Sequence, residues 1–176
     1  RDSVASRGLV DVYKRQTGNI PAEATTSETF TANLDSSSPV IDPSTTPFDP
    51  NNTSTYTSSY TTTVYDSLGN EHSVGQYFTK TGDNQWTVSY TFDGEDQGES
   101  VELDFSGELV SPTTPPSMTF ATSGADDITM TFDYSSCTQF GSDFSVTANA
   151  ADGYASATQN GVQVDEDGKV YATYSN

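Results

Sequence analysis

The clearest regularity in the chain is an alternation of apolar and hydroxyl side chains near its middle. The segment from Trp86 to Phe92 reads WTVSYTF. A period of two places the indole, valine and aromatic rings on one face of a strand, and the Thr and Ser hydroxyls on the other. The pattern therefore predicts a strand at 85–92 with one face against a core.

Weaker alternation upstream predicts two more strands, at 61–65 and 71–79. The tetrapeptides SLGN at 67–70 and TGDN at 81–84 would join the three strands. Gly and Asn adopt the positive φ that tight hairpin turns require. These segments together predict a three-stranded antiparallel meander.

Short alternating segments recur elsewhere, and none of the chain shows a sustained helical period. Further strands are predicted at 29–34, 101–105, 118–120, 128–132 and 144–148, and a hairpin at 162–174. The remaining segments are predicted to be an acidic turn at 93–100, a short turn or irregular segment at 137–140, and Pro-rich connections at 35–55 and 107–116. Proline is excluded from helix interiors and central strands. The spacing predicts an all-β fold, with an antiparallel β-barrel or sandwich as the middle domain and a small partial second β domain.

The net charge of the chain limits the kinds of macromolecule that it can bind. The 176 residues carry 25 acidic against 6 basic side chains, a net charge of −19. Such a chain repels nucleic acid and anionic membranes, so neither is an expected partner. The single cysteine, Cys137, excludes an intrachain disulfide, and no run of 18 apolar residues predicts a transmembrane helix.

The first 16 residues do not share the pattern of the rest. They are basic, and the segment VDVYKRQ looks like translated sequencing-adapter sequence. Residues 1–16 are therefore predicted to be non-native, with a genuine basic N-terminal arm as the alternative. The chain stops directly after a predicted strand, which predicts that it is an internal segment of a longer protein.

Candidate catalytic and metal-binding groups are few. The run DEDG at 165–168 offers carboxylates, but it lacks the distal Glu and flanking helices of an EF-hand loop. A carboxylate pair could hydrolyse glycosides, yet no acid is expected inside an apolar pattern where burial would raise its pKa. His72, the only histidine, follows a predicted turn at a solvent-facing position, and Cys137 has no histidine nearby in sequence. No catalytic residue, metal or cofactor is expected, and a structural or interaction protein is favoured over an enzyme.

Three motifs, in order along the chain, resemble those of the bacterial flagellar hook protein family. The first is TVYDSLGNEH at 63–72, followed by YF at 77–78 and NQW at 84–86; the second is TQF at 138–140 with DGYA at 152–155; the third is DEDGKVY at 165–171 ending in YSN. Ala157 and Thr158 depart from the family, which usually has Gly in that region. The resemblance singles out structural turn positions at Asp66, Gly69, Asn70, Trp86, Gly153, Tyr154, Asp167, Gly168 and Tyr174.

This resemblance implies a secreted structural subunit of the hook, exported by the flagellar type III apparatus without a cleaved signal. It would polymerise with copies of itself, outside the cell, into the flexible joint that transmits motor torque to the filament. Other axial proteins and the hook cap would be partners. The implied organisation is an outgoing strand of an inner β domain at 17–29, a middle β domain at 30–147, and a returning hairpin at 148–176.

The alternative is an extracellular carbohydrate-binding or adhesin-like β domain. It predicts an exposed aromatic platform, for example Tyr56, Tyr60 and Tyr90 facing solvent together. An acid-pair hydrolase is a further alternative, and it predicts a cleft with two carboxylates at a suitable separation.

Overall fold

A computed structural model describes residues 19–155, 157–164 and 170–174, with residue 19 and the last two segments described through their backbone alone. The strands of this part are β1 (Asn19–Ile20), β2 (Ser27–Asp35), β3 (Ser58–Tyr65), β4 (Glu71–Gly82), β5 (Gln85–Phe92), β6 (Glu95–Ser106), β7 (Glu108–Ser111), β8 (Ser117–Phe120), β9 (Ile128–Asp133), β10 (Thr138–Phe140), β11 (Ser145–Ala151), β12 (Ala157–Val164) and β13 (Val170–Tyr174). One 3-10 turn spans Thr53–Thr55. No helix in the described segments is long and apolar enough to cross a membrane.

Ten strands form one curled sheet, and β1, β12 and β13 form a second, three-stranded sheet. The path of the large sheet is β3-β4-β5-β6-β7-β10-β2-β9-β8, and β11 pairs with the other edge of β2. The predicted all-β class is confirmed. The sheet is nevertheless not wholly antiparallel, because β9 and β10 both run parallel to β2. They pair with opposite ends of β2 and act as two parts of one interrupted strand.

The predicted meander is present as β3, β4 and β5. β5 has the predicted bounds, and its four apolar side chains from Trp86 to Phe92 are buried. The turns before β4 and β5 carry positive φ at Gly69 (86°) and Asn84 (61°), as their residue types require. Ring pairs supply much of the core, among them Phe92 stacked on Phe120 with centroids 5.0 Å apart. A chain with few aliphatic residues thus fills its interior with large rings.

Three strands lie where turns or connections are predicted. The acidic segment 93–100 is a two-residue turn, with positive φ at both Asp93 and Gly94, followed by the first half of β6. The side chains in this half of β6 are mostly exposed, so the sequence shows no alternation there. β7 lies inside the Pro-rich connection, and the segment predicted as irregular at 137–140 contains β10. These strands are held by backbone pairing: the first half of β6 with β5 across the two-residue turn, β7 with β6 and β10, and β10 with β2, which is distant in sequence. Backbone hydrogen bonds of this kind leave no alternation in the sequence.

The Pro-rich loop between β2 and β3 covers the outer face of the meander. The backbone N–H of Ile41 donates to the carbonyl of Lys80, and that of Thr57 to the carbonyl of Phe78, both at 2.8 Å. The ring centroid of Phe48 lies 5.1 Å from that of Tyr77. Ser89 on the hydroxyl face of β5 lines a small cavity with Phe48 and is buried.

Replacing Phe48 by Ala should loosen this loop. The change removes a half-buried ring from an aromatic cluster, so the free energy of unfolding in urea should fall by about 2 kcal/mol. Val40→Ala is the matched control, because Val40 lies in the same loop and is 51% exposed. Its effect should stay within about 0.5 kcal/mol. Equal losses in the two variants would show that the aromatic cluster does not hold the loop.

Candidate functional site: the junction of the chain ends

Two of the sequence motifs meet at Thr25, at one end of the large sheet. The backbone N–H of Thr25 donates to the carbonyl of Tyr65 at 3.0 Å. The N–H of Tyr65 in turn donates to Thr25 Oγ1, also at 3.0 Å. Gly153 also lies against the buried Thr25. Thr25 thus joins the segment entering the sheet to the end of β3 and to the segment that leaves it. We call this region, residues 23–27 with 65–72 and 152–154, the junction.

The entering and leaving segments are hydrogen-bonded to each other. Glu23 and Tyr154 form an antiparallel bridge, with N···O distances of 2.9 and 2.8 Å. The Asp152 carboxylate accepts from the backbone N–H groups of Thr26 (2.6 Å) and Ser27 (3.0 Å) and from the Thr26 hydroxyl (2.5 Å). Partial burial raises the pKa of Asp152, but these hydrogen bonds outweigh it and leave the pKa below its usual value. The carboxylate therefore stays ionised and acts as a clasp.

Gly153 is required by shape as well as by backbone angle. Its φ is +89°, which L side chains rarely adopt. A Cβ at this position would lie 2.5 Å from Thr25 Oγ1 and 2.7 Å from Thr25 Cα. The leaving segment can approach Thr25 this closely only because residue 153 has no side chain.

Asp66 organises the turn of the first motif. Its Oδ1 accepts from the N–H groups of Leu68 and Asn70, both at 2.9 Å, and its Oδ2 from the Asn70 amide at 3.2 Å. Burial raises the pKa of Asp66, but these hydrogen bonds and one from His72 outweigh it and lower the pKa to about 2. Gly69, at φ 86°, completes the turn by donating its N–H to the Asp66 carbonyl.

His72 is held between two carboxylates. Its Nε2 lies 2.8 Å from Asp66 Oδ2, its Nδ1 lies 2.7 Å from Asp93 Oδ2, and the ring stacks on Phe92. Two carboxylate acceptors require a proton on both ring nitrogens, so the imidazole is positively charged. Burial lowers the pKa of His72, but hydrogen bonds to Asp93 and Asp66 outweigh it and raise the pKa above its ordinary value. The expectation of a solvent-facing histidine is wrong, because the side chain is only 16% exposed and joins two turns.

A polar network runs through the interior of the large sheet. Glu28 Oε2 accepts from Thr62 Oγ1 at 3.1 Å and from Gln76 Nε2 at 3.0 Å. The Tyr134 hydroxyl donates to Gln76 Oε1 at 2.5 Å and lies 2.7 Å from the Tyr90 hydroxyl. Burial raises the pKa of Glu28 to about 7, although the two hydrogen bonds lower it.

The expectation that no acid sits in an apolar pattern is therefore wrong. Glu28 is 1% exposed and lies on the inward face of β2. The alternation in β2 does place Glu28 on the buried face, because it lies two residues before Phe30 in the series Phe30, Ala32 and Leu34. The apolar residues of that period begin only at Phe30, so hydrophobicity alone does not reveal the acid that shares their face.

The structure gathers some of the motif positions and separates others. Asp66, Gly69, Asn70, Gly153 and Tyr154 belong to the junction. Trp86 lies elsewhere: its Nε1–H donates to Gln139 Oε1 at 2.7 Å and so links β5 to β10. The predicted turn residues Asp167 and Gly168 lie outside the described residues, as do residues 1–16, and Tyr174 is described only as a backbone position in β13. Thr25, the centre of the junction, had no sequence signal.

The hydrogen bonds of the junction hold separate segments of the chain together. Among the described residues, no group of three or more His, Cys, Asp or Glu could hold a metal ion. Cys137 is buried and its thiol lies 3.3 Å from the carbonyl of Phe30. Burial raises the pKa of Cys137 to about 11, so the reactive thiolate is disfavoured.

Comparison with known proteins decides the family. Residues 33–154 match the model of the flagellar basal body protein FlaE D2 domain. The chain belongs to this family. It is 34% identical over 163 residues to the flagellar hook protein FlgE of Escherichia coli, covering 88% of this chain and 40% of that protein. It is 33% identical over 184 residues to FlgE of Rhizobium meliloti, covering 96% and 41%.

This FlaE D2 family chain spans about two fifths of the length of these relatives. A solved structure, a 32 kDa fragment of the flagellar hook protein FlgE from Caulobacter crescentus, is similar with a TM-score of 0.50 and 17% identity. The likeness covers 64% of this chain and 52% of that fragment. At this identity it shows the fold alone.

Gly153→Ala in this D2 domain should be far more costly than a glycine change elsewhere. Gly124→Ala is the matched control, because Gly124 has a similar φ of +85° but a Cβ added there would meet nothing within 4 Å. Both variants carry the strain of the positive φ, whereas only Gly153→Ala collides with Thr25. Urea unfolding should show a loss at least about 2 kcal/mol larger for Gly153→Ala. Equal losses would mean that the close approach at Thr25 is unimportant.

The His72 clamp should make stability depend on pH. Because the folded pKa of His72 lies above 6.5, its contribution is fully present below pH 6.5 and is lost as pH rises through the folded pKa. His72→Gln should therefore cost about 1–3 kcal/mol at about pH 6 and less at about pH 9, measured by urea unfolding. Other titrating groups are common to both proteins and cancel in the difference.

Proton NMR checks the same clamp directly, since the chain has one histidine. Its ring resonance should titrate above pH 6.5, and Asp93→Asn should move the midpoint down. A midpoint at or below that value, or a His72→Gln deficit that is the same in mild acid and mild alkali, would contradict the clamp.

Proposed function

We propose that the chain is a segment of a flagellar hook subunit, a structural protein with no catalytic role. The observation that carries this proposal is the family match over residues 33–154, which covers most of the large sheet and the leaving half of the junction. Relatives that align over most of the chain are named flagellar hook protein. In this role the complete protein polymerises with its own copies into the flexible joint between motor and filament, with other axial proteins and the hook cap as neighbours. It lies outside the cell and is exported by the flagellar type III apparatus without a cleaved signal.

The domain boundaries follow from where the chain enters and leaves the large sheet. We assign 30–147 to a middle β domain, 17–29 to the outgoing strand of an inner β domain and 148–176 to its returning hairpin. The pairing of β1 with β12 and the bridge between Glu23 and Tyr154 support this assignment. A domain inserted into another needs its two ends side by side. The junction fixes them in that position.

The motif residues then have mechanical roles. Asp66, Gly69 and Asn70 hold the turn that brings Tyr65 to Thr25, and Gly153 and Tyr154 fix the leaving strand beside the entering one. Force that reaches one segment at the junction passes to the other through short hydrogen bonds. The two crossings therefore act as one connection and not as two independent hinges.

The charge of the surface suits contacts that must slide. Lys80 is the only Lys or Arg among residues 20–155, and it is buried with its Nζ 2.6 Å from the carbonyl of Ser36. The outer surface of this domain is consequently anionic on every side that carries charge. Contacts between copies of the domain would be polar, hydrated and individually weak. Weak contacts let neighbouring subunits shift as a curved joint rotates.

The carbohydrate-binding or adhesin alternative finds no support in the rings that it requires. Tyr90 is completely buried, with its hydroxyl bonded to Tyr134. Tyr56 packs against Tyr77 with ring centroids 4.9 Å apart. Tyr60 packs against Phe30 of the core at 5.5 Å. The predicted aromatic platform does not form.

A chimeric hook protein tests the function. Residues 20–155 of this chain, which include both halves of the junction, would replace the matching region of FlgE in an Escherichia coli strain that lacks its own hook protein. We expect curved hooks by electron microscopy and partial recovery of swimming. The same chimera with Gly124→Ala should behave alike, whereas Gly153→Ala should abolish hooks by breaking the junction. A chimera that is exported and resists proteolysis, yet forms no hooks, would overturn the proposal.

A further inference from the structure

In the curled sheet, β3 and β11 are neighbouring strands that meet without backbone pairing. β3 pairs with β4 along one edge and β11 pairs with β2 along one edge, and the two strands contact each other. Within the described segments, no backbone hydrogen bond joins β3 to β11. Side chains bridge the gap instead: Thr62 Oγ1 lies 3.3 Å from Asn149 Oδ1. We call this unpaired border between β3 and β11 the seam.

Glu28 lies immediately behind the seam and is incompletely bonded. Thr62 belongs to both features, since its Oγ1 is within hydrogen-bonding distance of Glu28 Oε2 as well as of Asn149. A hydroxyl has one proton to donate, so it cannot serve both oxygens at once. The second carboxyl oxygen, Oε1, is buried and has no hydrogen-bond partner. A buried ionised carboxylate with an unpartnered oxygen is unfavourable.

No cation compensates for a charge at this position among the side chains that the structure describes. The groups that face Glu28 from the packed strands are neutral: the Thr62 hydroxyl, the Gln76 amide and, beyond it, the phenols of Tyr134 and Tyr90. Of the cationic side chains on β4, Lys80 is bonded to Ser36 and His72 to the two aspartates. With these neighbours, Glu28 can avoid carrying a buried charge only by keeping its own proton.

We propose that Glu28 is a proton-controlled latch of the seam: the neutral acid keeps β3 and β11 closed, and the ionised carboxylate opens them. On ionisation the carboxyl proton passes to solvent and the charge stays on a group with two donors. Water must reach Oε1, and the seam is the adjacent border that can admit it with no backbone hydrogen bond to break first. Once it opens, β3 and β11 become free sheet edges, and their remaining pairing with β4 and β2 opens more readily to exchange. Thr62 is then drawn to the charged oxygen and leaves Asn149.

The latch lies next to the junction. Ser27, which precedes Glu28, donates its N–H to Asp152. Tyr65, three residues after Thr62 on β3, donates its N–H to Thr25. Opening the seam would therefore loosen the border that the entering and leaving segments share. The latch depends on the described fold alone, whether or not the chain serves in a hook.

The neutral pH range is where the latch would act. Burial raises the pKa of Glu28 from 4.5 to about 7. A carboxyl whose pKa is raised by folding contributes closure that is fully present below pH 4.5 and is lost as pH rises through about 7. The seam should be closed in mild acid and open at mildly alkaline pH.

Hydrogen exchange of the whole 176-residue chain tests the latch. Exchange at about pH 5.5 and about pH 8.5, corrected for intrinsic rates, would be followed in peptides from β3 and β11, with β5 as the internal reference. We expect protection of β3 and β11 to be at least about tenfold lower at the higher pH, with β5 unchanged. Glu28→Gln should remove the pH dependence. Glu102→Gln, which removes an exposed carboxylate on β6, should keep it.

Several outcomes would overturn the latch. One is equal protection of β3 and β11 at the two pH values in the wild-type chain. Another is a loss in β5 as large as that in β3, which would indicate global unfolding. If Glu28→Gln does not fold, Thr62 provides the test: Thr62→Val should lower seam protection in mild acid, whereas Thr62→Ser should not. Unchanged protection in Thr62→Val would also overturn the proposal.

Discussion

The path of the chain through Thr25 is the constraint on which the rest of the fold depends. The segment that starts the large sheet and the segment that ends it are 126 residues apart in sequence at the contact between Thr26 and Asp152. Closing so long a loop costs entropy that grows only slowly with length, so a few well-placed hydrogen bonds can offset it. The Asp152 clasp, the bridge at Glu23 and the tight contact at Gly153 all act on the same short stretch, residues 23–27. The strands between these two segments form a body whose two ends are held together at the junction.

The core of the large sheet contains a network of buried polar side chains. Only 32% of the chain is hydrophobic, and a line of side chains from Glu28 through Gln76 and Tyr134 to Tyr90 occupies part of the core. Each hydrogen bond in it offsets the cost of burying its partners, but Glu28 Oε1 is left without one. Such a network favours one arrangement of the surrounding strands, because other registers would leave more polar atoms unpaired. The same low-dielectric surroundings make the carboxyl sensitive to its proton.

The sequence predicts the parts of this structure whose cause is local. β5 is predicted to the residue because its own alternation sets its two faces, and the turn glycines because their φ requires them. β10 and the first half of β6 escape prediction because backbone hydrogen bonds hold them, to β2 and to β5 respectively, and such bonds leave no alternation in the sequence. The candidate site divides in the same way. The Asp66 turn and Gly153 are found through motif resemblance. The contact between His72 and Asp93, 21 residues apart, depends on the register of β5 against β4, which alternation alone does not set.

The placement of the acidic side chains accounts both for the rigidity of the domain and for the weakness of its contacts with other copies. Three of the acids with partners each fix a backbone path: Asp66 its turn, Asp152 the leaving segment, and Asp93 the end of β5 through Ser73. The remaining exposed acids meet no exposed Lys or Arg among residues 20–155, so they repel one another across any contact between copies. Under the proposed function, a body with fixed ends and a self-repelling surface would transmit force through the junction while neighbouring copies slide. In a hook that combination would place bending between subunits and leave each domain unchanged, except where the ionisation of Glu28 loosens the seam.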